Sequence, residues 1–132
     1  MRSVLADTGP LYALVDRDDN LHGRARDEAR RISDESRSLV VLFPTLFESH
    51  SLVLRRLGVQ TCRRWLREIT SGSGLLNPDR EDYLAAVRRI QSFPDQPITL
   101  FDGLVAVLAE QLKLPVWTFD HHFDSMGVTV WR

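Results

Sequence analysis

The sequence predicts an α/β domain built around a parallel sheet. Short apolar runs alternate with amphipathic stretches along the chain, a pattern typical of strand–helix–strand units. The runs over residues 4–6 and 39–43 contain only apolar side chains, as expected for strands buried on both faces. The length of 132 residues suits one domain, so we expect residues 1–132 to fold as a single unit.

The first half of the chain is predicted to contain two strands and four helices. Gly9 and Pro10 mark the turn from the first strand into a short helix, and Asp18, Asp19 and Asn20 end that helix. One later helix has apolar residues at spacings of 3, 4 and 3, which places Cys62 in the core. In chain order the elements are a strand over 3–6, a helix over 11–15, a polar helix over about 21–37, a strand over 39–43, a helix over 44–57 and a helix over 59–69.

The second half is predicted to contain two long helices and short strands. Residues 71–74 are rich in serine and glycine and are expected to form a loop. The stretch 99–114 is apolar around most of its circumference, which indicates a buried helix. The expected elements are a short strand over 75–76, a helix over 79–92 with Tyr83, Val87 and Ile90 on one face, the helix over 99–114, a strand over 115–119 and a last strand over 128–131.

Composition and charge limit the classes of protein that fit. The formal charge is −1, from 17 basic and 18 acidic residues, so bulk charge alone would not hold the protein to nucleic acid. The single cysteine, Cys62, excludes an internal disulfide and suits a reducing cytoplasm. No apolar run approaches the roughly 20 residues that a membrane helix needs. We therefore expect a cytoplasmic protein with no membrane partner.

Four acids occupy special positions relative to these elements. Asp7 and Asp120 each follow a predicted strand directly, and Glu48 and Asp102 each lie in the first turn of a predicted helix. In parallel α/β sheets, binding sites form just beyond the carboxyl ends of the strands, where helix N-termini also gather. The pattern therefore predicts that the four carboxylates converge in one crevice.

Each acid alone also has a structural explanation. The segments Thr45–Glu48 and Thr99–Asp102 match the capping box, in which an acid reaches back to the N–H of the helix cap. Asp7 is a suitable turn or N-cap residue, and Asp120 could cap the turn at residues 121–122. For any one of these acids, the structural explanation is the simpler one.

The apolar neighbours of Glu48 and Asp102 favour a functional interpretation of the set. An ionised carboxylate among such neighbours is costly unless something neutralises it. Converging carboxylates repel one another, and oxygen-only ligands suit Mg²⁺ or Mn²⁺. One or two such ions can activate water and stabilise the leaving oxygen of a phosphodiester. The acids therefore predict a metal-dependent phosphodiesterase.

At these residues the sequence resembles the PIN-domain nucleases, and especially the VapC-type toxins of bacterial toxin–antitoxin pairs. The similar segments occur in the family's order and extend from residue 2 to the end of the chain. They are Val-Leu-Ala-Asp7-Thr8-Gly9-Pro10, Leu21-His22-Gly-Arg-Ala25, Pro44-Thr45-Leu46-Phe47-Glu48, Leu100-Phe101-Asp102-Gly103-Leu104 and Thr118-Phe119-Asp120-His121-His122-Phe123.

The resemblance implies a fold, an activity and partners. The fold is a three-layer α/β/α sandwich with a mainly parallel central sheet. The activity is metal-dependent hydrolysis of RNA, of the tRNA or rRNA class, by an endoribonuclease that leaves a 5′-phosphate and a 3′-hydroxyl. The partners are a cognate antitoxin and a second copy of the chain in a homodimer. Asp7, Glu48, Asp102 and Asp120 would be the catalytic metal ligands, and Thr8 and Thr118 would orient them.

Several points stay open at this level. Many relatives have a further acid two residues after the last aspartate, where this chain has His122, and either His122 or Asp124 could join the site. Candidates for holding the RNA backbone are Arg17, Arg24, Arg55 and Arg56, although each one taken singly is better explained as a solvated helix residue. The alternatives to an RNA nuclease are an inactive interaction module of the same fold and a DNA-directed nuclease.

Overall fold

The computed structural model describes residues 2–132, and a four-stranded parallel sheet lies at its centre. The strand order is β3-β2-β1-β4, and Val4 pairs with Leu39 while Leu5 pairs with Val116. The elements are β1 (Ser3–Ala6), α1 (Thr8–Val15), α2 (His22–Asp34), β2 (Ser38–Leu42), α3 (Phe43–Leu57), α4 (Val59–Gly72), β3 (Gly74–Leu76), α5 (Arg80–Gln91), α6 (Leu100–Leu112), β4 (Val116–Trp117) and α7 (His122–Ser125).

Helices cover both faces of the sheet, because the strands alternate their side chains between two cores. Leu5, Leu42 and Val116 pack with α5, α6 and α7 on one face. Val41 and Trp117 pack with α1 to α4 on the other face. The predicted α/β class with three layers is therefore confirmed. The second core also contains Cys62, so its predicted burial is confirmed.

Two element boundaries in the first half differ from the prediction for local reasons. The second helix was expected to reach Arg37, but it ends at Asp34 because the chain turns through a left-handed conformation at Ser36, where φ is 56°. The second strand was expected to include Phe43, which instead begins α3 directly after β2. Pro44 then lies in the first turn of α3, where its missing N–H is not needed.

The C-terminal elements differ more. The strand expected over 128–131 is wrong: Val130 makes only one isolated bridge to Val116, although Val128 and Trp131 are buried. β4 has two paired residues where five were expected, and the short helix α7 was not predicted. The loop expected over 71–74 is also wrong in part, because α4 continues to Gly72.

Some predicted apolar faces also differ from the buried ones. Tyr83 and Val87 were expected to share one apolar face with Ile90, but both are exposed. On α5 the buried contact is made by Ala86 instead.

Close packing of α5 against α6 depends on Gly103. A Cβ atom at Gly103 would lie 2.7 Å from Ile90 Cγ2 and 3.1 Å from the carbonyl oxygen of Ala86. Both distances are shorter than ordinary van der Waals contacts, so only glycine lets the helices approach this closely. Asp102 immediately precedes this contact, which fixes the start of α6. Within residues 2–132, no helix combines the length and apolar character needed to cross a membrane.

Candidate active site

The four sequence-predicted acids line one cleft at the carboxyl edge of the sheet, with a volume of about 500 Å³. We call this the acidic cleft. β1 and β4 are adjacent strands, so the residues that follow them, Asp7 and Asp120, enter the cleft from neighbouring positions. α3 and α6 supply Glu48 and Asp102. The other lining residues are Thr8, Gly9, Tyr12, Ala13, Asp19, Leu21, Leu52, Thr99, Phe101 and Phe119.

Asp7 is the most perturbed of the four carboxylates. It is the N-cap of α1 and is buried, with each carboxylate oxygen accepting one hydrogen bond. The backbone N–H of Thr8 donates to Oδ1 at 2.9 Å, and the Thr118 hydroxyl donates to Oδ2 at 2.7 Å. Burial raises the pKa of Asp7 to about 6, because the two hydrogen bonds do not offset the lost hydration and the nearby carboxylates of Asp102 and Glu48 raise it further.

Asp102 is buried, and it both caps α6 and lines the acidic cleft. Its backbone N–H donates to the Thr99 hydroxyl at 3.0 Å, and its side chain accepts from the Thr99 N–H at 3.3 Å. The capping box predicted as its structural explanation is therefore present. The same carboxylate lines the acidic cleft, where burial, with a contribution from Asp120, raises its pKa. The structural explanation of Asp102 is therefore confirmed, and its functional role stays a prediction.

Glu48 occupies a different environment from the one predicted. Helix α3 begins at Phe43, so Glu48 lies in the second turn and Thr45 is not a cap. No side-chain capping bond forms at this helix start. Glu48 is exposed in the cleft wall, so the expectation of a buried carboxylate among apolar neighbours is wrong here. The Thr45 hydroxyl is instead buried, with no hydrogen-bond partner among residues 2–132.

Asp120 lies half-buried in a tight turn that begins after β4. Its backbone N–H donates to the Thr118 hydroxyl at 3.0 Å, and its Oδ1 accepts from the backbone N–H of His122 at 2.9 Å. The ring Nδ1 of His122 lies 3.1 Å from the same oxygen. Asp124 is bonded elsewhere, since its two oxygens lie 3.0 and 2.8 Å from Arg132. Of the two residues left open, His122 adjoins the acidic cleft and Asp124 is exposed in an ion pair.

The two threonines predicted to orient the acids contact them differently. The Thr118 hydroxyl links Asp7 and Asp120, since it donates to the first and accepts from the second. Thr8 contributes its backbone N–H to Asp7, while its hydroxyl accepts from Ser49 at 3.4 Å. Thr118 therefore ties the ends of two adjacent strands together at the cleft.

The four candidate RNA-binding arginines do not share one location. The guanidinium of Arg24 lies 4.5 Å from the ring of Phe119, and that of Arg56 lies 5.2 Å from the ring of Tyr12. Both rings line the acidic cleft, so these arginines lie at its rim. Arg17 lines a neighbouring cleft, and Arg55 is exposed and lines neither.

A second cleft, of about 610 Å³, lies beside the acidic one. We call it the basic cleft, and its lining is Leu14, Arg17, His22 and Arg26. The segment after α1 forms a common wall, because Asp19 and Leu21 line the acidic cleft while Arg17 and His22 line the basic one. His22 Nδ1 lies 2.7 Å from the carbonyl oxygen of Ala13, which fixes the imidazole against α1.

Sequence reasoning missed two contributors to these clefts. Asp19 was interpreted only as part of a helix break, and its Oδ1 does accept the turn hydrogen bond from the Leu21 N–H at 2.8 Å. Asp19 is the third acid after Asp7, following Asp16 and Asp18, and this run of acids was a signal that could have drawn attention to it. Arg26 was passed over because it belongs to a polar helix face, and only the tertiary structure places it beside Arg17.

Comparison with known proteins gives one family and several structures. The family model described as the PIN domain matches residues 4–128. Mycobacterium tuberculosis VapC20, a toxin that cleaves the sarcin–ricin loop, has a TM-score of 0.85 at 17% identity, with 98% of this chain and 99% of that chain covered. VapBC2 from Rickettsia felis, bound to a promoter DNA fragment, has a TM-score of 0.76 at 10% identity and coverage of 98% and 96%.

VapBC-1 from nontypeable Haemophilus influenzae has a TM-score of 0.73 at 17% identity, with 97% of this chain and 96% of that chain covered. At these identities the likeness shows a common fold. No curated protein sequence matches the chain.

Proposed function

The chain belongs to the PIN domain family, and on that premise we propose that it is a metal-dependent endoribonuclease, the toxin of a toxin–antitoxin pair. The acidic cleft would be its active site, with Asp7, Glu48, Asp102 and Asp120 as metal ligands. VapC20, which has the same fold over nearly its whole length, is a toxin that cleaves the sarcin–ricin loop. Residues 1–132 would form one nuclease domain.

The observation that supports the proposal best is a buried carboxylate without a cationic partner. Asp7 is 7% exposed, and no Arg, Lys or His forms an ion pair with it within the part of the chain that the structure describes. An uncompensated buried carboxylate is costly, and here three more carboxylates share its cleft. This oxygen-rich donor set fits one or two ions of Mg²⁺ or Mn²⁺.

The chain's own residues would position the reactants for hydrolysis of a phosphodiester. A bound divalent ion supplies positive charge that polarises the phosphate and acidifies water. Thr118 and the Thr8 N–H hold both oxygens of Asp7, so that carboxylate cannot rotate away. Asp120 is held by the same Thr118 hydroxyl. Attack of water on phosphorus would leave a 5′-phosphate and a 3′-hydroxyl.

We expect wild-type protein to bind Mn²⁺ and to cleave RNA, and Asp7→Asn with Asp102→Asn to do neither. Removing both carboxylates takes away the two most buried ligands, and a loss of about 4 kcal/mol of transition-state stabilisation corresponds to roughly a thousandfold in rate. Titration calorimetry measures the first effect, and cleavage of single-stranded RNA and of DNA of the same sequence measures the second.

Asp124→Asn is the matched control, because it removes a nearby carboxylate that is paired with Arg132. This variant should bind Mn²⁺ and cleave RNA as the wild type does. Failure of the folded wild type to bind Mn²⁺ would contradict the nuclease mechanism and favour an interaction module. Cleavage of DNA in preference to RNA would contradict the ribonuclease assignment alone.

The basic cleft would carry the RNA backbone as it leaves the acidic cleft. Arg17 and Arg26 are exposed and form no ion pair within residues 2–132, so their guanidinium groups are free to bind phosphate. The two clefts meet at the segment after α1. A strand whose scissile phosphate lies among the acids would therefore pass the arginines with a neighbouring phosphate.

We expect Arg17→Gln with Arg26→Gln to weaken binding of a single-stranded RNA in EDTA, without changing Mn²⁺ affinity. Loss of two phosphate contacts should reduce the salt-dependence slope of log K by about 1.4. Fluorescence anisotropy across a salt series measures this. Arg63→Gln with Arg67→Gln removes the same charge from α4, away from both clefts, and an equal effect there would show that only bulk charge matters.

Exposed apolar side chains beside the acidic cleft suit a protein partner. Phe47 is 68% exposed and precedes Glu48, and Leu100 is exposed next to Thr99 of the cleft wall. A cognate antitoxin that buries these side chains would also cover the cleft. Leu54 and Val59, on α3 and α4, are also exposed and would suit contact between two copies of the chain.

A further inference from the structure

The turn after β4 brings two imidazoles next to a cleft carboxylate. Ligand atoms of Asp120, His121 and His122 all lie within 4.8 Å of one another, close enough to surround one ion. The two rings lie 4.3 Å apart between their centroids. The metal site of the proposed function has only oxygen ligands so far, whereas this cluster adds nitrogen.

The two histidines differ in how firmly they are placed. The His122 side chain is 18% exposed, and its Nδ1 lies 3.1 Å from Asp120 Oδ1. The backbone N–H of His122 donates to the same oxygen, so the main chain fixes the ring beside the carboxylate. The His121 side chain is 83% exposed, and its Nδ1 lies 3.9 Å from that oxygen. Only His122 is held in place.

Asp120 lines the acidic cleft together with Asp102. His122 therefore adjoins this cleft through its contact with Asp120. It begins α7, whose Phe123 is completely buried, and this anchors the ring from the core side.

We propose that His122 is a metal ligand and that its nitrogen makes the site prefer Mn²⁺ to Mg²⁺. This inference rests on the proposed function, because it assigns a further ligand to the same site. Mg²⁺ binds oxygen ligands almost exclusively and loses water reluctantly. Imidazole binds first-row transition ions better, so a site in which His122 joins Asp120 and the other carboxylates of the acidic cleft favours such an ion.

The test is to measure metal affinity and the ligand signature of bound Mn²⁺ in wild type, His122→Asn and His121→Asn. We expect His122→Asn to weaken Mn²⁺ binding by about tenfold or more while Mg²⁺ binding changes far less. Pulsed electron paramagnetic resonance of the Mn²⁺-loaded protein should show a nitrogen coupling that disappears in His122→Asn. His121→Asn should keep both the affinity and the coupling.

Four outcomes would overturn the inference. A wild-type spectrum without nitrogen coupling, or equal weakening of Mn²⁺ and Mg²⁺ in His122→Asn, would limit His122 to supporting Asp120, while the proposed nuclease site would stand. Loss of the coupling in His121→Asn alone would assign the ligand to the other ring. Absence of any divalent ion binding in the wild type would overturn the proposed function together with this inference. Thermal unfolding of each variant in EDTA shows that the fold is intact.

Discussion

Asp7→Asn is expected to make the metal-free protein more stable at pH 8, by about 1 to 2 kcal/mol, although it should abolish metal binding. The carboxylate is buried with a pKa of about 6, so at pH 8 the fold holds an ionised group in a poorly hydrated place. Asparagine removes that charge. The gain is partly offset by one lost hydrogen bond, because the amide has a single oxygen for the two donors, the Thr8 N–H and the Thr118 hydroxyl.

The pH dependence follows from the direction of the shift. The pKa of Asp7 is higher in the folded state than its ordinary value of 3.8, so the folded state binds the proton more tightly. Protonation therefore stabilises the wild type, and this contribution is lost as the pH rises from about 4 through 6. We expect this group to raise the free energy of unfolding of the wild type by about 1 kcal/mol when the pH falls from 8 to 5. The Asp7→Asn variant should lack this increase.

Urea unfolding in EDTA at the two pH values measures both effects. Addition of Mn²⁺ at about 100 times its Kd should reverse the order, since binding stabilises only the wild type, by about 3 kcal/mol. If Asp7→Asn were less stable than the wild type in EDTA at pH 8, the carboxylate would be adequately solvated and the strongest argument for a metal there would be lost.

Gly103→Ala is expected to destabilise the protein by about 1 to 3 kcal/mol. The new methyl group would lie 2.7 Å from Ile90 Cγ2 and 3.1 Å from the carbonyl oxygen of Ala86, so α6 must move away from α5. Asp102 precedes the substituted position and would move with the helix. Mn²⁺ affinity should therefore fall together with the free energy of unfolding, as measured by calorimetry and urea titration.

Gly23→Ala is the matched control for this substitution. Gly23 also lies near the start of a helix, α2, and a Cβ atom there meets nothing within 4 Å. Alanine at position 23 should stabilise the protein by up to about 1 kcal/mol, through helix propensity alone. Equal effects at both glycines would contradict the steric argument. Combining Gly103→Ala with Ile90→Ala removes the shorter contact and should recover part of the loss.

The sequence predicted β1 and β2 well because both strands are buried on two faces. Such strands are continuous apolar runs, and turn residues end the first of them. Residues 128–131 have an equally apolar pattern, yet they form only one bridge to β4. Val128 and Trp131 are buried by packing against the two cores, and packing without strand pairing leaves the same pattern in the sequence.

The candidate site was predicted by position rather than by environment. Asp7 and Asp120 lie in the acidic cleft as expected, because their positions depend only on where the strands end. The burial of Glu48 was predicted wrongly, since a start of α3 at Phe43 rotates the side chain from the expected first turn to the exposed second turn. Contacts such as that of the Thr118 hydroxyl with Asp7, 111 residues apart, cannot be inferred from one sequence.

The same hydrogen bond has a consequence for when the cleft can form during synthesis. β1 and Asp7 leave the ribosome well before Thr118 and Asp120, because Thr118 lies 111 residues after Asp7. A nascent chain that has released only the first three strands lacks the Thr118 hydroxyl that fixes Asp7, and it also lacks the carboxylate of Asp120. The cleft therefore cannot be assembled until translation of these residues is complete, and unfinished chains cannot possess it.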